Sequence, residues 1–463
     1  MSHAAPARIV IVGGGHVGMN TARSLRNTLR SDEATVTVID PRSYMTYQPF
    51  LAEAAAGSVE PRHVVVPLRE ALPGCEVLGG EVVGAKPDER KVSVEVADGH
   101  TRHIGYDVLV LAPGSWSKTL PIPGLAEHAV GFKTLGEAIY LRNHVLSRLD
   151  AAASTLDPKL REKLLTFVFV GGGYAGVEAL AELADMARAA SDYYDTISRS
   201  DMRWVLVEAA NRIMPEVSEG LGTYTVDVLR DEGFEIHLNT TLESIEDGYV
   251  KLSDGTGFDA DTVVWTAGVA PHPMLADTGL PLDDKGRVRC TADLRVEGQD
   301  VVFAAGDCAA VPDISRSPTR TCPPSAQHAS RQAKRLAKNV VSLLRGGTLG
   351  RYKHAYAGSV ASLGLYQGVA EIYRVKLKGA LAWALHRGYH LATMPTAHRK
   401  VRISFDWLLS LPFRRQIVAL GELHQPRREF DRASRSARPA PDAKQPAAPS
   451  AEQARRRVRQ DKD

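Results

Sequence analysis

RIVIVGGGHVG, residues 8–18, is an apolar run that ends abruptly in glycines. A short apolar run bounded by glycine reads as a buried strand, and His16 to Leu29 then carry helical periodicity. TVTVID, 35–40, is a second buried strand, so strand, helix and strand form a βαβ unit with a parallel sheet. Within the turn stand Gly13, Gly15 and Gly18. The first permits the tight turn, the second lets a pyrophosphate approach the backbone, and the third lets helix pack on strand. The helix N-terminus offers free N–H groups to phosphate. Asp40 ends the second strand 22 residues past Gly18, placed to accept hydrogen bonds from an adenosine ribose. A lone glycine fingerprint is weak evidence. With strand, helix and acid in register it marks a dinucleotide site.

The same plan returns 158 residues later, from Gly13 to Gly171. TFVFVGGGYAGVEALAELADMA (166–187) repeats strand, turn and helix with Gly171, Gly173 and Gly176, and RWVLVE (203–208) ends on Glu208. Hairpin-like stretches follow at 80–98 and 235–255, then YDVLVLAPGS (106–115, with Ala112) and DTVVWTAGVAP (261–271, with Gly268). Chance rarely repeats such an order, so the chain holds two copies of one unit. Glu208 would accept from a ribose 2′-OH and repel a 2′-phosphate, favouring NADH, while Arg212 nearby pulls toward NADPH. Two dinucleotide sites in one chain suit hydride transfer between a nicotinamide and a flavin. VVFAAGDCA (301–309) places Gly306 and Asp307 after a strand. Alone that pair is more often a turn; after two dinucleotide sites it reads as a flavin contact.

Length and composition bound the rest. At roughly 150 residues per domain, 463 residues make two or three domains. A net charge of +3 gives no global field for nucleic acid, and 44% hydrophobic with 24% charged residues is the profile of a globular protein. Cys75, Cys290, Cys308 and Cys322 lie far apart, which suggests neither a disulfide framework, a zinc site nor a dithiol relay. His386 and His390 are spaced i, i+4, but no third ligand spacing supports a metal. The N-terminus lacks a signal-peptide pattern and no stretch approaches 18 apolar residues, so any membrane contact is expected to be peripheral. The last 39 residues, 425–463, carry eleven Lys/Arg against six Asp/Glu and read as a disordered basic tail.

GGGHVG with Asp40, TYQPF (46–50), LAPGS (111–115), GGGYAGVE (171–178), VWTAG (264–268), AAGDCA (304–309) and PPSAQHA (323–329) together resemble the two-dinucleotide-binding-domain flavoproteins. Within them, residues 8–410 look like the type II NADH dehydrogenases, the non-proton-pumping NADH:quinone oxidoreductases. That resemblance implies an α/β fold of two Rossmann-like domains, the NAD domain (131–282) inserted in the FAD domain (1–130 and 283–375). A C-terminal amphipathic membrane-associating segment (376–424) precedes the tail. It implies FAD held by Gly13, Gly15, Gly18, Asp40, Gln48, Pro49, Ala112, Gly306, Asp307 and Ala326. NADH would be held by Gly171, Gly173, Gly176, Glu208 and Gly268. Glu178 would face the nicotinamide and flavin, and Gln327 the quinone. The expected partners are a membrane quinone, the cytoplasmic membrane surface and a second copy in a homodimer.

The residues leave other readings open. Glu178 at a helix start can simply favour the helix dipole, and Gln327 and His328 can be capping residues. Where the family often shows Ala-Gln-x-Ala-x-Gln, this chain has Arg331 followed by Gln332. His386, Arg387, His390, His398 and Arg399 make the C-terminal segment unusually polar. A soluble NAD(P)H-dependent ferredoxin or small-molecule reductase, or a low-turnover flavin redox sensor, are the alternatives.

Overall fold

A computed structural model of the chain describes residues 5–317, 320–354, 356, 358–413 and 415–436. One compact unit ends at Ala419, and the residues from Leu420 form a second. In the first unit, β1 (Ala7–Val12) leads through the glycine turn into α1 (His16–Arg26) and β2 (Ala34–Asp40). α2 (Leu51–Ala55) follows, then β3 (Glu76–Gly79), and β4 (Val108–Leu111) returns to the sheet. Valine and isoleucine dominate these strands because a sheet covered on both faces buries every side chain. The burial agrees: Ile9, Ile11, Val38, Leu109 and Val110 are all fully enclosed.

The second copy begins with β5 (Ala129–Gly131) and α3 (Leu135–Ser154). β6 (Thr166–Val170), α4 (Tyr174–Ser191) and β7 (Arg203–Glu208) then repeat the first unit, followed by β8 (Glu235–Leu238) and β9 (Thr262–Trp265). β10 (Val302–Ala304) and α5 (Ala326–Leu344) belong again to the first domain.

Both sheets are parallel and five-stranded. The first has the order β10-β4-β1-β2-β3 and the second β5-β9-β6-β7-β8. The copies match strand for strand except at one edge. There the first sheet takes its fifth strand from late in the chain, so the second domain is inserted within the first. Two short strands, Ser115–Ser117 and Val269–Pro271, pair antiparallel where the chain leaves and returns.

Three details refine the sequence reading. Ala129 and Val130, on the near side of the expected 130/131 boundary, already pair with the second sheet as part of β5. The stretch 235–255 is not one hairpin. Its first strand, β8, extends the parallel sheet, and the antiparallel part is Leu242–Glu246 with Tyr249–Leu252. Asn239 separates them at φ +54°, a conformation asparagine tolerates better than most residues, and that kink is invisible to hydrophobic alternation. In the second unit, Arg428–Ser436 is helical where a disordered tail is expected. Arg427 and Asp431 pair across one turn at 3.8 Å, a spacing that supports local helix. Residues 437–463 of that expected tail lie outside the described residues.

The C-terminal segment of the first unit forms two helices, α6 (Gly379–Thr393) and α7 (Ala397–Leu409). They follow a three-stranded antiparallel sheet of Gly358–Ser362, Gly368–Ile372 and Val375–Lys378. No described helix is long and apolar enough to cross a membrane.

Candidate functional site

The two glycine loops share one geometry. Gly13 has φ +95°, and a β-carbon there would strike the Ala112 carbonyl; Gly171 has φ +115° and would strike the Thr266–Ala267 backbone. A β-carbon on Gly18 would run into the Gly13 carbonyl, and one on Gly176 into that of Gly171. By contrast, a β-carbon on Gly15 or Gly173 meets no protein atom within 4 Å. Each of these glycines precedes a helix whose first N–H groups receive no side-chain cap. The space in front of them is therefore open and lined by donors, as a pyrophosphate requires.

Each loop is latched to its acid. Gly14 N donates to Asp40 Oδ2 at 2.7 Å and Arg42 N to Oδ1 at 2.7 Å. Gly172 N donates to Glu208 Oε2 at 2.6 Å and Ala210 N to Oε1 at 2.7 Å. The same four-atom latch thus occurs twice, fixing each carboxylate at a strand end. Burial raises the Asp40 pKa, against the pull of the two backbone N–H groups. Arg212 turns away from the acid, its guanidinium donating to the Val217 carbonyl.

A cleft of about 460 Å³ opens over the first loop. It is lined by the expected Gly13, Gly15, Asp40, Gln48, Ala112, Gly306, Asp307 and Ala326. Gly18 packs beneath the loop and Pro49 is the middle residue of the 3₁₀ turn Gln48–Phe50; neither lines the cleft. Gly268, at φ +94°, sits in the return crossover. Gln332 Oε1 accepts from Gly306 N at 2.7 Å, which ties α5 to the Gly306–Asp307 turn. The offset glutamine therefore supports the cleft from behind, while Arg331 turns to His354. Gln327 does not line the cleft; its Nε2 donates to the Gly358 carbonyl at 3.2 Å.

Sequence reasoning missed several lining residues. Lys133 Nζ donates to Ser115 Oγ at 2.8 Å, and Ser115 Oγ to Asp307 Oδ2 at 2.7 Å. Lys133 follows β5 of the second sheet, so the inserted domain delivers a cation into the first domain's cleft. Burial lowers its pKa. The signal beside it was legible: Thr134 and Glu137 form a capping box that starts α3. Nothing in that motif says which cleft the helix start faces. His16 also lines the cleft, and its Nε2 has no hydrogen-bond partner among the described residues.

Glu178, on α4, meets the C-terminal helices. Its Oε1 accepts from Ser362 N at 3.0 Å and lies 3.2 Å from His386 Nε2. Next to this pair Arg387 Nη2 lies 3.3 Å from Glu53 Oε2, which also accepts from Trp407 Nε1 at 2.9 Å. Burial would lower the His386 pKa, but Glu178, Glu53 and Glu182 outweigh it and raise it. Burial raises that of Glu53 despite Arg387. Of the residues that make this segment unusually polar, His386 and Arg387 thus point inward to carboxylates, while Arg399 Nη1 donates to the Arg62 carbonyl and His398 meets Glu70 at the surface. The four cysteines are free, and burial pushes the Cys308 and Cys322 thiols up to about 12, far from a reactive thiolate.

A family model described as pyridine nucleotide-disulphide oxidoreductase matches residues 7–333. Among curated relatives, the type II NADH:quinone oxidoreductase of Staphylococcus saprophyticus is 29% identical over 378 residues, covering 81% of this chain and 92% of that protein. The type II NADH:quinone oxidoreductase Ndh of Mycobacterium tuberculosis is 28% identical over 418 residues, covering 87% and 88%. Among solved structures, NDH2 from Plasmodium falciparum in complex with NADH has a TM-score of 0.81 at 18% identity, covering 89% of this chain and 99% of that one. That likeness is one of fold.

Proposed function

The chain belongs to the pyridine nucleotide-disulphide oxidoreductase family, and from that premise we propose that it is an FAD-dependent NADH:quinone oxidoreductase of type II. The observation that carries this reading is the duplicated latch of glycine loop and acid. One copy stands over a cleft that both domains line. The open backbone at Gly15 and the Asp40 and Asp307 carboxylates lining the cleft fit FAD; the matching features at Gly173 and Glu208 fit NADH.

Bound FAD supplies a two-electron carrier between the nicotinamide and the quinone. The protein's own residues bind, orient and shield. Gly13, Gly15 and the start of α1 hold the pyrophosphate, Asp40 the ribose, and Asp307 the ribityl region, with Gln48, Ala112, Gly306 and Ala326 as walls. Gly171, Gly173 and Gly176 hold the second pyrophosphate, Glu208 its ribose, and Gly268 the return of the chain beside the nicotinamide. Lys133, fixed through Ser115 to Asp307, keeps a positive charge at the junction of the two domains. Glu178 stands beside His386 where α4 meets the C-terminal helices, and Gln327 faces the quinone head group. In this reading residues 1–128 with 283–375 form the FAD domain and 129–282 the NAD domain.

The quinone arrives from a membrane, and the C-terminal helices are the contact. Val401, Phe405, Leu408 and Leu409 form one exposed apolar stripe on α7, continued by Leu411 and Phe413. The protein lies on the cytoplasmic face without spanning the bilayer, as a homodimer.

An anaerobic experiment tests the reading. One equivalent of NADH is added to the holoenzyme, then a short-chain quinone, and flavin absorbance is followed. Fast bleaching and fast recovery are expected. Bleaching without recovery would retain the NADH–flavin half and replace the quinone by a ferredoxin or another soluble acceptor. Negligible bleaching would point to a redox sensor.

A further inference from the structure

NADH gives up two electrons and one hydrogen nucleus, whereas a quinone becoming a quinol takes two electrons and two protons. One proton per turnover must therefore come from solvent: NADH + H⁺ + quinone → NAD⁺ + quinol. This inference rests on the proposed activity and asks by what route that proton reaches the cleft.

Among the described residues, a row of buried and half-buried titratable side chains runs from α4 along α6 to the cleft. It starts at Glu178, whose side chain is 13% exposed, and passes to His386 Nε2 at 3.2 Å. The His386 ring lies 4.6 Å from that of His390, one helical turn along α6. His390 Nδ1 is 3.4 Å from the Tyr47 hydroxyl, which also bonds Thr393 Oγ1 at 2.7 Å. The Tyr47 ring lies 5.7 Å from His16, which lines the cleft. Tyr47 and His386 are 4% and 2% exposed, and His390 between them is half-buried. His386 Nδ1 and His16 Nε2 have no hydrogen-bond partner among the described residues, and an unpaired buried imidazole nitrogen is costly unless it serves something. We propose that His386, His390 and Tyr47 relay a proton from Glu178 to His16, and so deliver to the cleft the proton that NADH does not bring.

The electrostatics suit the two ends. Glu178 and Glu182 from α4 and Glu53 from α2 face His386, with Arg387 beside it, and the carboxylates favour its charged form. His390 faces Tyr47, Tyr389, His16 and His386. Burial with its histidine neighbours pushes its pKa down to about 2, and burial holds His16 at about 4. A neutral imidazole accepts a proton on one nitrogen and releases one from the other, so His390 and His16 pass a charge without storing it.

The test uses the FAD-loaded full chain and the variants His390→Phe, Tyr47→Phe and the double, each checked for flavin content. Rapid photochemical reduction delivers electrons without hydrogen, so proton uptake follows it, and a pH-indicator dye reads that uptake whatever the physiological acceptor. Both single variants are expected to slow uptake at least tenfold, and the double no more than the slower single, because one path is cut at two points. Flavin reduction by NADH stays within twofold, since hydride brings its own hydrogen. Reoxidation by a short-chain quinone slows in step with uptake. Uptake within twofold of wild type in both single variants would overturn the relay, as would losses that multiply in the double variant. Tyr47→Phe removes one oxygen and keeps the ring, so it decides the matter if His390→Phe loses flavin. A wild type that takes up protons normally but is not reoxidised by quinone would refute the proposed acceptor and leave the relay standing.

Discussion

Gly15 and Gly18 stand three residues apart in one motif, yet a side chain on each meets a different obstacle. Gly15 has φ −73°, an ordinary value, and open space before it. Gly15→Val is therefore expected to fold with normal secondary structure and purify without flavin, read by circular dichroism and visible absorbance. Gly18→Val drives carbon into the Gly13 carbonyl and is expected to lose soluble protein altogether. Glu208→Ala removes the acceptor for Gly172 N and for the ribose. Hydrogen bonds to a charged group are worth about 1.5–3 kcal/mol. The NADH KM should accordingly rise roughly tenfold to a hundredfold with flavin content unchanged; equal losses of both would sink the assignment. These residues were legible because each role is local: a turn, a helix start and a strand end within one βαβ unit. Lys133 and His16 were not, because their roles depend on which domain they enter.

At the scale of elements, α2, α4, α6 and α7 meet in a buried ionic cluster. Glu53 on α2 is 1% exposed and is held by Arg387 and Trp407. Arg387→Ala leaves that carboxylate unpaired in the interior and is expected to destabilise by about 3–5 kcal/mol in urea denaturation. Adding Glu53→Gln should recover part of the loss, and no recovery would mean the arginine acts by packing alone. His386 carries a pH consequence. Its folded pKa lies above its ordinary value of 6.5, so its stabilisation is complete below 6.5 and is lost as pH rises through the folded value. Melting temperature should thus fall more steeply toward alkaline pH in wild type than in His386→Gln. A sequence that mixes apolar and basic residues does not say which side is the inside. The buried carboxylates on α2 and α4 decided it.

For the whole molecule, the consequence lies on α7, which turns an apolar stripe outward. Phe405 and Leu409 are more than half exposed and one turn apart. Burying such side chains in a lipid interface stabilises by about 1.5–3 kcal/mol each. Phe405→Glu with Leu409→Glu is therefore expected to cut binding to anionic phospholipid vesicles at least tenfold, while NADH oxidation by a water-soluble acceptor stays unchanged. Vesicle binding at wild-type strength would move the membrane contact elsewhere.

The sequence alone determined the doubled βαβ unit, both dinucleotide loops and their acids, and the want of a paired thiol. Each of these is encoded in adjacent residues, where strand and helix periods and glycine's freedom act over a few positions. Only the tertiary structure decided that the second sheet borrows Ala129–Gly131 as its edge, that Gln332 rather than Gln327 braces the Gly306–Asp307 turn, and that Glu178 meets His386. Those contacts join residues tens to hundreds of positions apart. What selects them is the cost of burying a charge or an amide without a partner, a quantity set by the whole packed interior and written in no single stretch of the chain.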